Sequence, residues 1–279
     1  MRKLEEKIFK VLMMAATLVI VVSLFMIIVA VIKRGLPAMS WDMISKIPGG
    51  GFYIGKEGGL LNAIVGSLYI VVGSITLGLA FSLPIVLFIN LYLPDKSKLA
   101  QITRLTFDVL FGIPSIVYGA FGFTLMVYLG LRSSLLAGIL TVTILIIPIL
   151  IRSIDEVMRR VPQEMKDAAL SLGASRSELI KVLLRQVSPG IVTAVLLSVG
   201  RGIGDAASVL FTAGYTDSIP TSLSQPVATL PLAIFFQLSS PIAEVQDRAY
   251  AAALILTAIV LVLSIAARYF NRKFSRNKI

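Results

Sequence analysis

The sequence predicts an all-α, polytopic membrane protein with six transmembrane helices and both termini cytoplasmic, and three observations carry that expectation. Of its 279 residues 57% are hydrophobic and only 15% charged, a balance outside that of soluble domains. The apolar residues come in continuous runs, without the alternation of a barrel, and the runs approach or exceed the roughly 20 residues that a hydrocarbon core about 30 Å thick requires. The basic residues are divided unevenly between the two faces, 19 on the face of the chain ends against 6 on the other. By the positive-inside rule both ends are then cytoplasmic.

Taken in order, residues 1–10 form a charged N-terminal segment, and residues 11–32 form a first span with no charge. A loop over 35–59 carries Trp41 as an interface anchor. The second span is expected over 61–93, long enough to tilt, with Pro84 as a bend. Asp95 to Arg104 returns as a basic loop before a third span at 109–131. Residues 132–134 are read as a tight turn, and the fourth span, over 133–151, descends into a polar segment at 152–187. The fifth span is expected over 188–214. The outer segment 215–248 contains the apolar piece Leu230 to Phe236, too short to cross and read as re-entrant or interfacial. A sixth span at 249–267 closes a transmembrane domain of 11–270, and 271–279 is a basic cytoplasmic tail.

The chain has no Cys and no His, which excludes disulfides, thiolate chemistry, zinc clusters and imidazole catalysis. No catalytic residue, metal site or cofactor is therefore expected in this chain. Gly50 to Glu57 is one residue short of a P-loop, but Glu57 stands where the hydroxyl that holds magnesium is needed and no strand precedes it. Energy must come from a partner. The net charge of +11 lies beside the spans, the pattern of an orientation signal, and argues against nucleic acid as a partner. The first apolar run is too long for a cleaved signal peptide and lacks a small-residue cleavage site. Membrane lipids are the expected surroundings.

The polar stretch from Arg152 to Gln186 is expected to face water. Arg152, Asp155, Glu156, Arg159 and Arg160 stand at helical spacing. Pro162 suits a first helical position, the helix that follows runs from Gln163 to Leu172, and Gly173 suits its stop. Ser175 and Glu178 fit a capping box at the start of a second helix, whose apolar face is Leu179, Ile180, Leu183, Leu184 and Val187. Such a pair fits a groove on another protein; an ordinary solvated loop is the plainer alternative.

Arg201 lies halfway along the expected fifth span, where a lone guanidinium costs roughly 2.5 to 3.5 kcal/mol on insertion scales. Asp205, four residues on, is expected to pair with it. Gly200, Gly202 and Gly204 clear bulk from around the pair, so that a helix or a solute can approach the backbone. One reading is an internal ion pair that staples helices. The other offers the guanidinium to an oxyanion crossing the membrane, with Asp205 holding Arg201 and competing for it.

Asp167-Ala168-Ala169 followed by Gly173 resembles the "EAA...G" coupling loop of ABC importer permeases, which docks into a cleft on a cytoplasmic ATPase. The resemblance implies that role for Asp167, Ala168, Ala169, Gly173, Ala174 and Ser175. Asp167 replaces the usual Glu, and Arg185-Gln186 stands where a Leu-Pro is usual. Gly200 to Asp205 followed by Leu210-Phe211-Thr212-Ala213 is similar to a segment of the PstA-type permease family of inorganic phosphate importers. Ile113 to Gly119, Gly58-Gly59-Leu60 with Gly66-Ser67-Leu68, and Leu230-Pro231 through Ser240-Pro241 are similar to that family too. Asp205 replaces its Glu, and Ala207-Ser208 its Ala-Pro. The resemblance implies a type I ABC importer permease fold in the inner membrane, moving phosphate inward by alternating access along a path at Arg201, Asp205, Gly200, Gly202 and Gly204. It also implies a second homologous permease, two ATP-hydrolysing cytoplasmic subunits and an external phosphate-binding protein. The alternatives are a permease for another oxyanion or small solute, and a non-conducting membrane scaffold or sensor subunit.

Overall fold

The computed structural model describes residues 2–49, 57–94 and 97–275. Among the described residues ten helices follow one another: α1 (Arg2–Ala38), α2 (Trp41–Ser45), α3 (Leu61–Leu91), α4 (Lys98–Phe111), α5 (Ser115–Tyr128), α6 (Leu135–Arg159), α7 (Gln163–Ser171), α8 (Arg176–Ile203), α9 (Leu230–Leu238) and α10 (Ala243–Ser275). Among the described residues five are long and apolar enough to cross a membrane, and six spans result if α4 and α5 count as one broken crossing. Most of the P-loop-like stretch, and the pair at 95–96, lie outside the described residues.

The axis of the bundle is α6, which packs on α3, α8, α5 and α4. Val142, Ile146, Leu150 and Ile154 recur every four residues along its buried face, as the helical period requires. In lipid the hydrophobic effect does not drive helices together; close packing and interhelical hydrogen bonds do. Both occur here. The Ser74 hydroxyl of α3 donates to the Ile139 carbonyl of α6 at 3.0 Å in a buried position, a contact worth about 0.6 kcal/mol by the average for such bonds. On α8, a Cβ at Gly190 would come within 2.4 Å of Val157 on α6, so only glycine lets these backbones close up.

By contrast α1 is peripheral. None of its apolar window is buried within the chain, and its C-terminal end is tied to α10. There Arg34 Nε donates to Asp247 of α10 at 2.9 Å, and the guanidinium lies over the Tyr250 ring. The nine-residue α9 is buried against α10, with Leu230, Leu232 and Ala233 sealed off.

Several boundaries differ from the sequence expectation. The third crossing, expected as continuous over 109–131, is broken: α4 and α5 meet at 101°. The cause is Gly112-Ile113-Pro114, since proline cannot continue the ladder and restricts the residue before it. The basic loop expected from Asp95 to Arg104 is helical from Lys98 onward. The second helix of the polar segment and the fifth span are one helix, α8, because Pro189 stands inside it without ending it. That helix stops at Ile203, eleven residues before the expected boundary at 214, and residues 204–214 form turns. Pro162 precedes α7 as its cap residue and is outside the first turn.

Candidate translocation path and coupling surface

The polar segment that follows α6 is built by local rules. After α7 the chain turns through Gly173, whose φ of +82° is the left-handed value that favours glycine. The Ala174 amide donates to Ala169 O at 3.1 Å and the Gly173 amide to Leu170 O at 2.9 Å, the two bonds of a Schellman stop. Ser175 then caps α8. Its hydroxyl accepts from the Glu178 amide, while the Glu178 carboxylate accepts from the Ser175 amide at 2.8 Å. Inward, Met165 and Ala169 rest on the core. Outward, Asp167, Ala168, Gly173 and Ser175 are exposed, Ala174 is half-buried, and Leu172 is 89% exposed. On α8, Leu179, Leu183 and Val187 are buried and Ile180 and Leu184 half-buried, the apolar face expected.

Along the rest of α8 one stripe faces inward and another outward. Ala194, Ser198 and Gly202 are buried at intervals of four. A Cβ at Gly202 would stand 3.3 Å from Val142 of α6. Leu197, Gly200, Arg201 and Gly204 are exposed, and a Cβ at Gly200 would meet nothing within 4 Å. The glycines thus divide their work: Gly202 admits a neighbouring helix, and Gly200 leaves the outward stripe open beside the guanidinium.

Arg201 is in the last turn of α8 and not at its middle. Counting from Val187, it is about 21 Å along the helix at 1.5 Å per residue. The expected pair with Asp205 is not formed. Spacing of four places two side chains on one face only while the helix continues, and α8 ends at Ile203 with Gly204 as its cap. Asp205 Oδ2 instead accepts from the Ser208 amide at 2.8 Å, holding the turn that follows. Among the described residues Arg201 forms no ion pair.

The motifs around this point meet at one end of the bundle. A Cβ at Gly119 of α5 would stand 2.6 Å from Ala207 O. The Ser67 hydroxyl of α3 accepts from the Leu230 amide at 2.8 Å. Asn62 Nδ2 donates to Thr216 O at 2.6 Å, and the Ser134 amide to Thr212 O at 2.9 Å. These bonds satisfy the backbone of an irregular segment that lipid could not solvate.

One group escaped the sequence reading. Asp155, expected to face water with its charged neighbours, is only 6% exposed. Its carboxylate accepts from Asn90 Nδ2 of α3 at 2.7 Å and from Arg104 of α4, Nε at 2.9 Å and a terminal nitrogen at 3.2 Å. The available signal was Arg104 itself, a cation beside an apolar stretch that needed a partner.

A membrane-embedded bundle with an exposed, doubly capped helix pair at one end, and an outward guanidinium on the helix rising from that pair, is a transport permease in its architecture. The chain belongs to the family described as the binding-protein-dependent transport system inner membrane component, whose model matches residues 87–276. It is accordingly a multi-pass membrane protein and a transport component. It is 34% identical over 274 residues to the phosphate transport system permease protein PstA of Pasteurella multocida, covering 96% of this chain and 95% of that one. The PstA protein of Yersinia pestis is 34% identical, covering 98% and 92%, and the probable PstA protein of Methanocaldococcus jannaschii is 30% identical, covering 96% and 94%. Among solved structures, an inward-facing conformation of the MetNI methionine ABC transporter superposes with a TM-score of 0.62 at 19% identity, covering 77% of this chain and 95% of that one. That likeness is one of fold, the type I ABC importer permease.

Proposed function

We propose that this chain is the membrane permease subunit of an inorganic phosphate importer of the inner membrane, with both termini cytoplasmic, working by alternating access. The observation that carries the mechanism is the outward stripe of α8. Arg201 and Gly200 face away from their own bundle, so a path closes around the guanidinium only when a second, homologous permease covers that side. A planar fork of donors matches phosphate oxygens, and a charge in an apolar bundle marks a solute path before anything else. Asp205, tied to the Ser208 amide, fixes the turn after Arg201 and leaves the guanidinium to the solute.

Two cytoplasmic ATPase subunits supply the energy, docking at Asp167, Ala168, Ala169, Gly173, Ala174 and Ser175. The Schellman stop and the capping box make α7 and the start of α8 one rigid elbow, so a push on α7 tilts α8 and reorients Arg201. An external phosphate-binding protein delivers the solute. No bond is made or broken by this chain, and it needs no cofactor of its own.

The test is ATP-dependent phosphate uptake by the complex reconstituted in vesicles, with sulfate and molybdate as competitors. Arg201→Ala should reduce uptake to background while the complex still assembles and binds ATP. Wild-type uptake in that variant would refute the path, and equal competition by sulfate would point to another oxyanion.

A further inference from the structure

The charges at the end of α6 are not used by this account. Arg152, Asp155, Glu156, Arg159 and Arg160 recur at i, i+3, i+4, i+7 and i+8, a single helical face. That face meets Arg104 and Asp108 of α4 across an open cavity of about 400 Å3. Four guanidiniums and three carboxylates line it, an excess of one positive charge.

The carboxylates are unevenly engaged. Asp155 is held at the floor by Arg104 and Asn90, so it is already neutralised and at the same time fixes Arg104. Glu156 pairs with Arg160 within one helix at 2.5 Å, both groups well exposed. Asp108 stands 3.5 Å from Arg152, too long for a hydrogen bond. Arg159 forms no ion pair among the described residues. Two forks, on Arg152 and Arg159, therefore have donors to spare, seven residues apart on one face. Exposed pairs such as Asp108 with Arg152 are worth little, and a more highly charged anion can displace them.

We propose that the cavity between α4 and α6 is a second anion site that takes a phosphate group. Guanidiniums lining one cavity can match its tetrahedral oxygens bidentately, which a lysine cluster could not do, and Arg152, resting over the Phe111 ring, keeps its edge donors for that purpose. The group has two possible sources. On the adjoining face of α4, Ile102, Leu105 and Val109 are exposed, an apolar edge along which acyl chains could lie while a phospholipid headgroup reaches the arginines, as basic pockets between membrane helices allow. Free phosphate would enter from the water on the coupling side. The site needs neither Arg201 nor transport, so it stands or falls separately from the translocation reading.

The experiment uses the assembled complex in detergent. It is equilibrated with equimolar phosphatidylglycerol and phosphatidylcholine and read by native mass spectrometry; a second arm measures binding of radiolabelled inorganic phosphate. In the Arg152→Gln/Arg159→Gln double variant, retention of phosphatidylglycerol over phosphatidylcholine should fall about tenfold if the headgroup is the ligand, roughly the value of one charged hydrogen bond. If free phosphate is the ligand, its binding should fall as much, and should survive Arg201→Ala. Asp108→Asn removes a competing carboxylate and should strengthen whichever binding is present, a gain that misfolding cannot mimic. Lipid preference and phosphate binding that match wild type in both variants would overturn the proposal.

Discussion

Two arginine and aspartate couples teach opposite lessons about charge in this bundle. Arg104 and Asp155 are 51 residues apart and share two hydrogen bonds on separate helices. Arg201 and Asp205 are near neighbours in sequence and do not touch, because the helix that would align them ends at Ile203. The first couple is structural: it ties α4 to α6, and Asn90 adds α3. The second is divided between two tasks, one carboxylate holding a turn and one guanidinium left facing outward. A charge paired by tertiary contacts stabilises the scaffold, and Arg201, without an ion pair among the described residues, is left open on the outward side.

Substitutions at the two couples break or sharpen this contrast. The largest loss of stability is expected for Asp155→Ala, which leaves Arg104 without its counter-charge. Removing one partner of a fully buried pair costs roughly 3 to 5 kcal/mol. Arg104 is 22% exposed, so water relieves part of this and about 2 kcal/mol is expected, read as a lowered thermal midpoint of the purified complex. Next, Asp155→Asn combined with Arg104→Gln removes both charges, and should recover about 1 kcal/mol relative to the summed single losses, within the range of coupled neighbours. Additive losses would mean that the two residues act independently.

A smaller effect belongs to the coupling elbow. Ser175→Ala removes one half of the capping box and should cost about 1 kcal/mol, and the proposed transmission through the elbow requires a clear fall in uptake as well. Unchanged uptake would show that the elbow need not be rigid. The smallest effect is expected at Asp205→Asn, where the side-chain oxygen can still accept from the Ser208 amide. Stability should stay within about 0.5 kcal/mol and uptake near wild type. A collapse of uptake there would restore the ion pair with Arg201 in the transporting states.

The same physics divides what could be read in advance from what could not. The helix stop at Gly173 and the box at Ser175 and Glu178 were legible because every atom involved lies within a few residues, and turn and cap chemistry is local. The outward face of the coupling segment followed from its polarity. The break between α4 and α5 was written in Gly112-Ile113-Pro114 but masked by the hydropathy of the run, which reports length in oil and not direction. The early end of α8 was marked only by Gly204, which stands at its cap among glycines that read as clearance. Leu210-Phe211-Thr212-Ala213 is apolar enough to extend a helix, and these residues turn back as the Ser134 amide takes up the Thr212 carbonyl and the Val227 amide the Ala213 carbonyl.

By itself, then, the sequence determined that the chain lives in lipid, where it forms an exposed, capped elbow, and that a guanidinium sits among its spans. Each of these depends on composition or on neighbours along the chain. Only the tertiary structure decided which carboxylate neutralises which arginine, that Gly200 opens outward while Gly202 closes on α6, and that Arg201 ends a helix. Those outcomes depend on which helices lie side by side, and in a bundle of interchangeable Leu, Ile and Val that choice is made by close approach at glycines and by a few hydrogen bonds between distant residues.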